Sequence, residues 1–198
     1  MSDPKQTEAA GEPVYSYKPS LAGAPWQLRL APDNLVWNRG GRSGNLPYRD
    51  IARIRLSFHP VTMQTRRFLT EIWAPGMPKL VIASSSWTGL MAQQSLVGPY
   101  CDFVTELHRR VAAAGGRPYC ESGLNPFLYW PGIAVYVAVL LGLAALIVRA
   151  LQVAIYPGAL FIAGFMALFS WQLGNFFKLN MPGRYEPAAP PQNLLPRN

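Results

Sequence analysis

The sequence predicts an α+β protein in which a small antiparallel β sheet or barrel is closed by one amphipathic helix and followed by a transmembrane α-helical hairpin. Three observations carry this. Residues 127–177 contain two apolar runs, FLYWPGIAVYVAVLLGLAALIV and VAIYPGALFIAGFMALFSWQLGNFF, parted only by Arg149-Ala150-Leu151-Gln152. Short segments between Trp26 and Ala83 alternate apolar and polar residues with the period of a strand. From Leu96 to Ala114 the period changes to that of a helix.

Residues 1–24 mix Pro, Gly, Ala, Ser and charges without periodicity and are expected to be a disordered N-terminal tail. The opening MSDPKQTEAAGEP has no apolar core, so no cleavable signal is expected. A folded domain is expected over residues 25–116. Trp26-Gln27-Leu28-Arg29-Leu30 reads as a strand, Pro32-Asp33-Asn34 as a turn, and Leu35 to Asn38 as a second strand. Gly40-Gly41-Arg42-Ser43-Gly44 is glycine-rich, but no Lys-Ser/Thr pair and no strand–helix frame accompany it, so it reads as a hairpin turn and not a phosphate loop.

Next, Ile54, Leu56 and Phe58 fall on one face of a strand, with Arg53, Arg55 and Ser57 on the other. A fourth strand runs from about Thr65 to Trp73, APGMP forms a turn, and Lys79 to Ala83 forms a short strand. Tyr100, Phe103, Val104, Leu107 and Val111 make the apolar stripe of the closing helix, which Gly115-Gly116 ends. Residues 117–126 are expected to link this helix to the membrane.

A bilayer core about 30 Å thick needs about 20 apolar helical residues, and each of the two runs meets that length, with helices expected at about 129–148 and 153–176. Tyr129, Trp130 and Trp171 sit where an aromatic belt belongs. Pro131 and Pro157 fall near helix starts. Ala134, Ala138 and Gly142 in the first run, and Ala159, Ala163 and Ala167 in the second, recur every four residues and are the expected helix-packing stripes. Residues 178–198, ending in Pro-rich EPAAPPQNLLPRN, are expected to be a disordered tail.

Charge sets orientation and partners. Of the 18 Lys and Arg, fourteen precede Leu128, Lys178, Arg184 and Arg197 follow the second helix, and the turn holds only Arg149. The positive-inside rule then puts both termini in the cytoplasm. The net charge of +8 is spread along the chain, which suits an anionic membrane surface and not a nucleic-acid groove. Cys101 and Cys120 are expected to be reduced thiols. Two His and two Cys show no zinc spacing, and Cys101 and His108 are two helical turns, roughly 10 Å, apart. No catalytic residue, metal or cofactor is expected.

The strand order, the closing helix and LPYRDIARIRL (Leu46 to Leu56) make residues from Val14 to Ala114 resemble the bacterial pleckstrin-homology-like domains. The quoted segment is similar to that family's succession of a loop, an aromatic, an Asp-Ile pair and an alternating strand. The resemblance implies a cytoplasmic binding or scaffolding module, a kind of domain that in many membrane proteins is fused to one or two transmembrane helices. The basic signature of the lipid-binding eukaryotic domains is not reproduced, since the corresponding region offers only Arg29, Arg39 and Arg42. Basic residues gather instead at Arg53, Arg55, Arg66 and Arg67, expected to share one face and to bind anionic lipid or a protein partner; a solvated strand face is the plainer reading.

The expected function is that of a non-enzymatic, membrane-anchored adaptor or scaffold at the cytoplasmic face of a bacterial inner membrane. Its partners would be membrane lipids and a protein, or a second copy of the chain. The alternatives are an accessory subunit of a larger membrane complex for transport or assembly, and a membrane enzyme with an unrecognised site.

Overall fold

The computed structural model describes residues 11–60, 66–89 and 93–195, without the side chains of Pro60, Arg66 and Gln93. It divides into two compact units.

Among the described residues the first unit comprises 11–122 and 183–195. Its first sheet is an antiparallel meander of β1 (Val14–Tyr17), β2 (Trp26–Leu30), β3 (Asn34–Arg39) and β4 (Arg42–Pro47). A 3-10 turn at Tyr48–Asp50 leads to β5 (Arg53–Pro60), β6 (Arg66–Trp73) and β7 (Leu80–Ala83), a second antiparallel run. A two-stranded ribbon of β8 (Ser85–Trp87) and β9 (Gln93–Ser95) precedes α1 (Val97–Ala113). Then β10 (Tyr119–Ser122) adds parallel to β5, and β11 (Gly183–Arg184) adds antiparallel to β10. The second sheet therefore reads β11-β10-β5-β6-β7.

Alternation decides which face of each strand is inside. Leu28 and Leu30 on β2, Ile54 and Leu56 on β5, and Ile72 on β6 are buried, and the predicted stripe Tyr100, Phe103, Val104, Leu107 and Val111 on α1 is buried with them. The core also holds a polar pair, Thr70 Oγ1 and Tyr100 Oη at 2.6 Å. Such a pair is tolerated because each group satisfies the other.

One seam between the sheets is sealed by side chains. Tyr15 Oη donates to Ala83 O at 2.6 Å, Tyr17 Oη donates to Val81 O, and Arg39 Nη1 donates to Lys79 O at 3.0 Å. Burial pushes both phenols far above the usual tyrosine range, so they stay protonated donors. The free carbonyls of edge strand β7 are thereby occupied. An unoccupied edge would invite pairing with another chain.

Three segments depart from the sequence expectation. β1 lies within the expected disordered tail, β10 within the expected linker, and β11 within the expected disordered C-terminus. Past β11, Leu194 and Leu195 are buried at 1% and 4% exposure. Each segment is short, and each is ordered by partners far away in sequence, which local periodicity does not register.

The second unit is residues 123–182. Its helices are α2 (Pro126–Gln152), opened by an Asn125 cap on the Phe127 N–H at 3.1 Å, and α3 (Tyr156–Leu179). Both are long and apolar enough to cross a membrane. At 1.5 Å per residue, 27 and 24 residues give about 40 and 36 Å. The turn lies at 153–155 and not at Arg149–Gln152. Arg149 and Gln152 are good helix formers, so a polar interruption of an apolar run does not break the helix. Ala154 takes a left-handed φ of 55° and the Ile155 N–H returns to Ala150 O at 2.9 Å.

The expected small-residue interface is not the one formed. Ala134, Ala138 and Gly142 are exposed on α2; on α3 only Ala159 is buried, Ala163 is half-buried and Ala167 is exposed. Aromatics make the contact. Tyr136 packs on Phe169 and Phe177 with ring centres 6.0 and 5.4 Å apart, Tyr129 meets Phe177 at 5.8 Å, and Tyr136 Oη donates to Ser170 O at 3.3 Å. Larger rings bury more surface per residue than Ala stripes and supply a polar tip that bonds across helices.

Candidate functional site

Arg53 and Arg55, two of the residues that sequence reasoning singled out, lie on the outer face of the second sheet, where register alone assembles a cluster. Arg53 faces Trp73 and Arg55 faces Glu71 across β5–β6. Tyr119 and Glu121 of β10 sit beside Arg53 and Arg55, and Arg184 of β11 is opposite Glu121. Ile54, Leu56, Ile72 and Cys120 alternate with these residues and point into the core, which commits the charged set to the outside.

Glu121 organises the cluster. Its Oε2 accepts from Arg53 Nε at 3.0 Å and Nη2, and from Arg55 Nε at 3.1 Å and Nη2 at 2.8 Å. Partial burial works to raise the Glu121 carboxyl, and the two guanidinium hydrogen bonds overcome it, so its pKa is lowered and the carboxylate stays ionised. The guanidinium carbons of Arg53 and Arg55 lie 4.9 and 5.6 Å from the Trp73 ring centre, and Lys79 Nζ lies 5.7 Å from it. Lys79 also pairs with Glu71 at 2.5 Å. Arg184 lies 4.6 Å over the Tyr119 ring, and among the described residues it has no carboxylate partner. Four cations, Arg53, Arg55, Lys79 and Arg184, thus face two carboxylates, Glu71 and Glu121.

The structure does not bring the four predicted arginines together. Arg67 is opposite His59 and Arg66 opposite Pro60, at the turn end of the β5–β6 hairpin, while Arg53 and Arg55 are at its other end. Four steps along the strand separate Arg55 from His59, roughly 13 Å. The Arg66 side chain lies outside the described residues, and Arg67 Nε is a buried donor without a hydrogen-bond partner among them. Sequence reasoning missed Glu121 and Arg184, which join through β10 and β11. It also missed Trp73, although a Trp on the outward parity of a half-buried strand was a visible signal.

A second cluster lies at α1. His108 is buried, and its Nδ1 faces Val104 O at 2.7 Å. A carbonyl can only accept, so Nδ1 carries the proton and Nε2 accepts from Tyr185 Oη at 3.0 Å. Burial lowers the His108 pKa and favours this neutral imidazole. The Tyr185 N–H donates to Cys120 O at 3.2 Å, and burial raises the Cys120 thiol to about 11. A thiol so raised holds its proton at neutral pH, and a nucleophile needs the thiolate. The His108–Tyr185 pair thus joins the C-terminal segment to α1 as a structural bond. Among the described residues no three His, Cys, Asp or Glu gather as metal ligands would.

No family model, curated protein or solved structure matches this chain.

Proposed function

We propose that the chain is a membrane-anchored, non-enzymatic adaptor with a pleckstrin-homology-like domain at the cytoplasmic face of a bacterial inner membrane, engaging a protein partner or anionic lipid head groups. The order of four meandering strands, three further strands and a closing helix supports the domain reading. The observation that carries the proposal is the β10–β11 ladder. The chain leaves the first unit at Ser122, forms two helices of membrane-spanning length, and returns at Gly183 to the neighbouring strand of the same sheet. Two spans return a chain to the side it left, so domain and C-terminal segment share one face, as the basic residues also favour.

The test is cysteine accessibility in spheroplasts and in inverted vesicles. Single cysteines at Arg42 and at Glu186 should both react with a membrane-impermeant maleimide only in inverted vesicles, and one at Val153 only in spheroplasts. Labelling of Arg42 and Glu186 from opposite sides sinks the anchoring; labelling of both from outside sinks the cytoplasmic assignment.

A further inference from the structure

We infer that the outer face of β11-β10-β5-β6 is a headgroup platform, which takes the phosphates of anionic phospholipids on Arg184 and Arg53. This rests on the membrane anchoring proposed above and names the ligand of that face.

Three observations converge on it. The first is charge. Four cations face two carboxylates, and Glu121 spends a single oxygen on Arg53 and Arg55 together. Arg184 is exposed and has no carboxylate partner among the described residues, so its guanidinium donors are available to a phosphate. Arg53 keeps 36% of its side chain exposed. Arginine's planar fork matches phosphate oxygens two at a time.

The second observation is the aromatic content. Tyr119 is 41% exposed beneath Arg184, and Trp73 underlies Arg53. Tyr and Trp with one wet and one apolar side are the residues favoured at the level of lipid headgroups. Guanidiniums stacked on these rings are pre-positioned, so less side-chain freedom is lost when an anion arrives.

The third is chain length. Four residues separate Glu121 from Pro126, and four separate Leu179 from Arg184. A stretch of five peptide steps reaches at most about 18 Å. If α2 and α3 cross the bilayer, both β10 and β11 are tethered within that distance of the helix ends. The tether limits how far the first unit can leave the leaflet, and binding has to bring the cations within roughly a Debye length of it, about 8 Å at physiological salt, where the attraction acts.

The face can be tested in the full-length protein, reconstituted into nanodiscs of phosphatidylcholine alone and with increasing phosphatidylglycerol. The readout is hydrogen–deuterium exchange of peptides covering 119–122 and 183–185. Exchange there should slow as phosphatidylglycerol is added, and revert at high salt, with peptides from β2 and β3 unchanged. Each surface cation contributes about fivefold to anionic-lipid attraction, so Arg184→Gln should raise the phosphatidylglycerol fraction giving half the protection about fivefold. The Arg184 side chain bonds no backbone group among the described residues, so this variant tests the site without the fold. Glu121→Gln should shift the midpoint the opposite way, because it removes the competing negative charge; a merely structural role for Glu121 predicts a loss.

Exchange that is identical in neutral and anionic discs, or a midpoint that Arg184→Gln leaves unchanged, overturns the platform and leaves the face to a protein partner. Failure of the anchoring itself reads differently, as cysteines at Arg42 and Glu186 that label from opposite sides of the membrane.

Discussion

The C-terminal segment offers a direct trial of the fold, because composition and structure make opposite claims about it. Ending the chain at Pro182 removes β11, the Tyr185 hydroxyl that donates to His108, and the burial of Leu194 and Leu195. A fully buried leucine contributes about 1.5–3 kcal/mol relative to an exposed one, so the two together give about 3–6 kcal/mol. His108 Nε2 would lose its donor, a penalty of about 1–3 kcal/mol unless water enters. The low end of the sum, about 4 kcal/mol, is a large share of the 5–15 kcal/mol that holds a typical domain. For a first unit of this size that corresponds to about 15 °C in Tm. The assay is thermal unfolding of the full-length and truncated proteins in the same detergent, followed by near-ultraviolet circular dichroism. Leu194→Ala alone should lower Tm by a fraction of the same shift. Equal Tm values for full-length and truncated chains would refute the reasoning and restore a disordered tail.

Other outcomes follow from single sites. Tyr100→Phe leaves Thr70 Oγ1 without its 2.6 Å partner in the core and should cost about 1–3 kcal/mol in chemical unfolding, while the double variant with Thr70→Val should recover most of it. Gly123 has a φ of +79°, and a Cβ there would sit 2.4 Å from the carbonyl oxygens of both Asn180 and Met181. Gly123→Ala should therefore cost about 1–3 kcal/mol in backbone strain and about 1 more for the Leu124 N–H to Asn180 O bond, read as lowered Tm and faster proteolysis of the helical hairpin. The buried, neutral His108 has a folded pKa below its unfolded value of about 6.5. The unfolded chain therefore binds more protons between the two values, and stability should fall as pH drops from 7 through 6.5 toward the folded pKa. The slope from His108 is at most about 1.4 kcal/mol per pH unit, and pH-dependent melts of His108→Gln should be flatter by that share, leaving the part due to His59, whose pKa burial also lowers.

What was legible in the sequence is what short-range physics decides. The α1 stripe repeats every three or four residues, so Tyr100 to Val111 could be assigned inward without knowing their partners. β2, β3, β5, β6 and β7 alternate strongly enough to show both existence and facing. The membrane-length runs were plain because hydrocarbon thickness imposes a minimum that Pro126–Gln152 and Tyr156–Leu179 exceed. What was missed depends on pairing. β1 has two tyrosines and two polar or small neighbours, and is fixed by hydroxyls reaching β7. The arginine grouping failed because an antiparallel hairpin separates residues near its turn, Arg66 and Arg67, from those at its open end, Arg53 and Arg55. Glu121 could not be foreseen, since its parallel pairing to β5 crosses 65 residues of chain. The helix interface failed for a different reason: small-residue spacing is common by chance in Ala-rich helices, and Tyr136 packs on Phe169 and Phe177 while Ala134, Ala138 and Gly142 stay exposed.

The position of β11 also orders events during folding. β10 and β11 are paired strands separated by a 60-residue unit, Gly123–Pro182. Closing a flexible loop of that length costs about 4 kcal/mol in chain entropy. The β10–β11 ladder has only two residue pairs, and bonds of about 1 kcal/mol each do not meet that cost. Once α2 and α3 have paired, the Leu124 N–H to Asn180 O bond already holds the two ends together, and most of that entropy has been lost within the second unit. Pairing of β11, the Tyr185–His108 bond and burial of Leu194 and Leu195 then proceed without that entropy cost. Docking of the C-terminal segment is therefore strongest once the helical hairpin has formed, and in a chain whose hairpin fails to form, closing the loop offsets most of what Leu194, Leu195 and Tyr185 contribute.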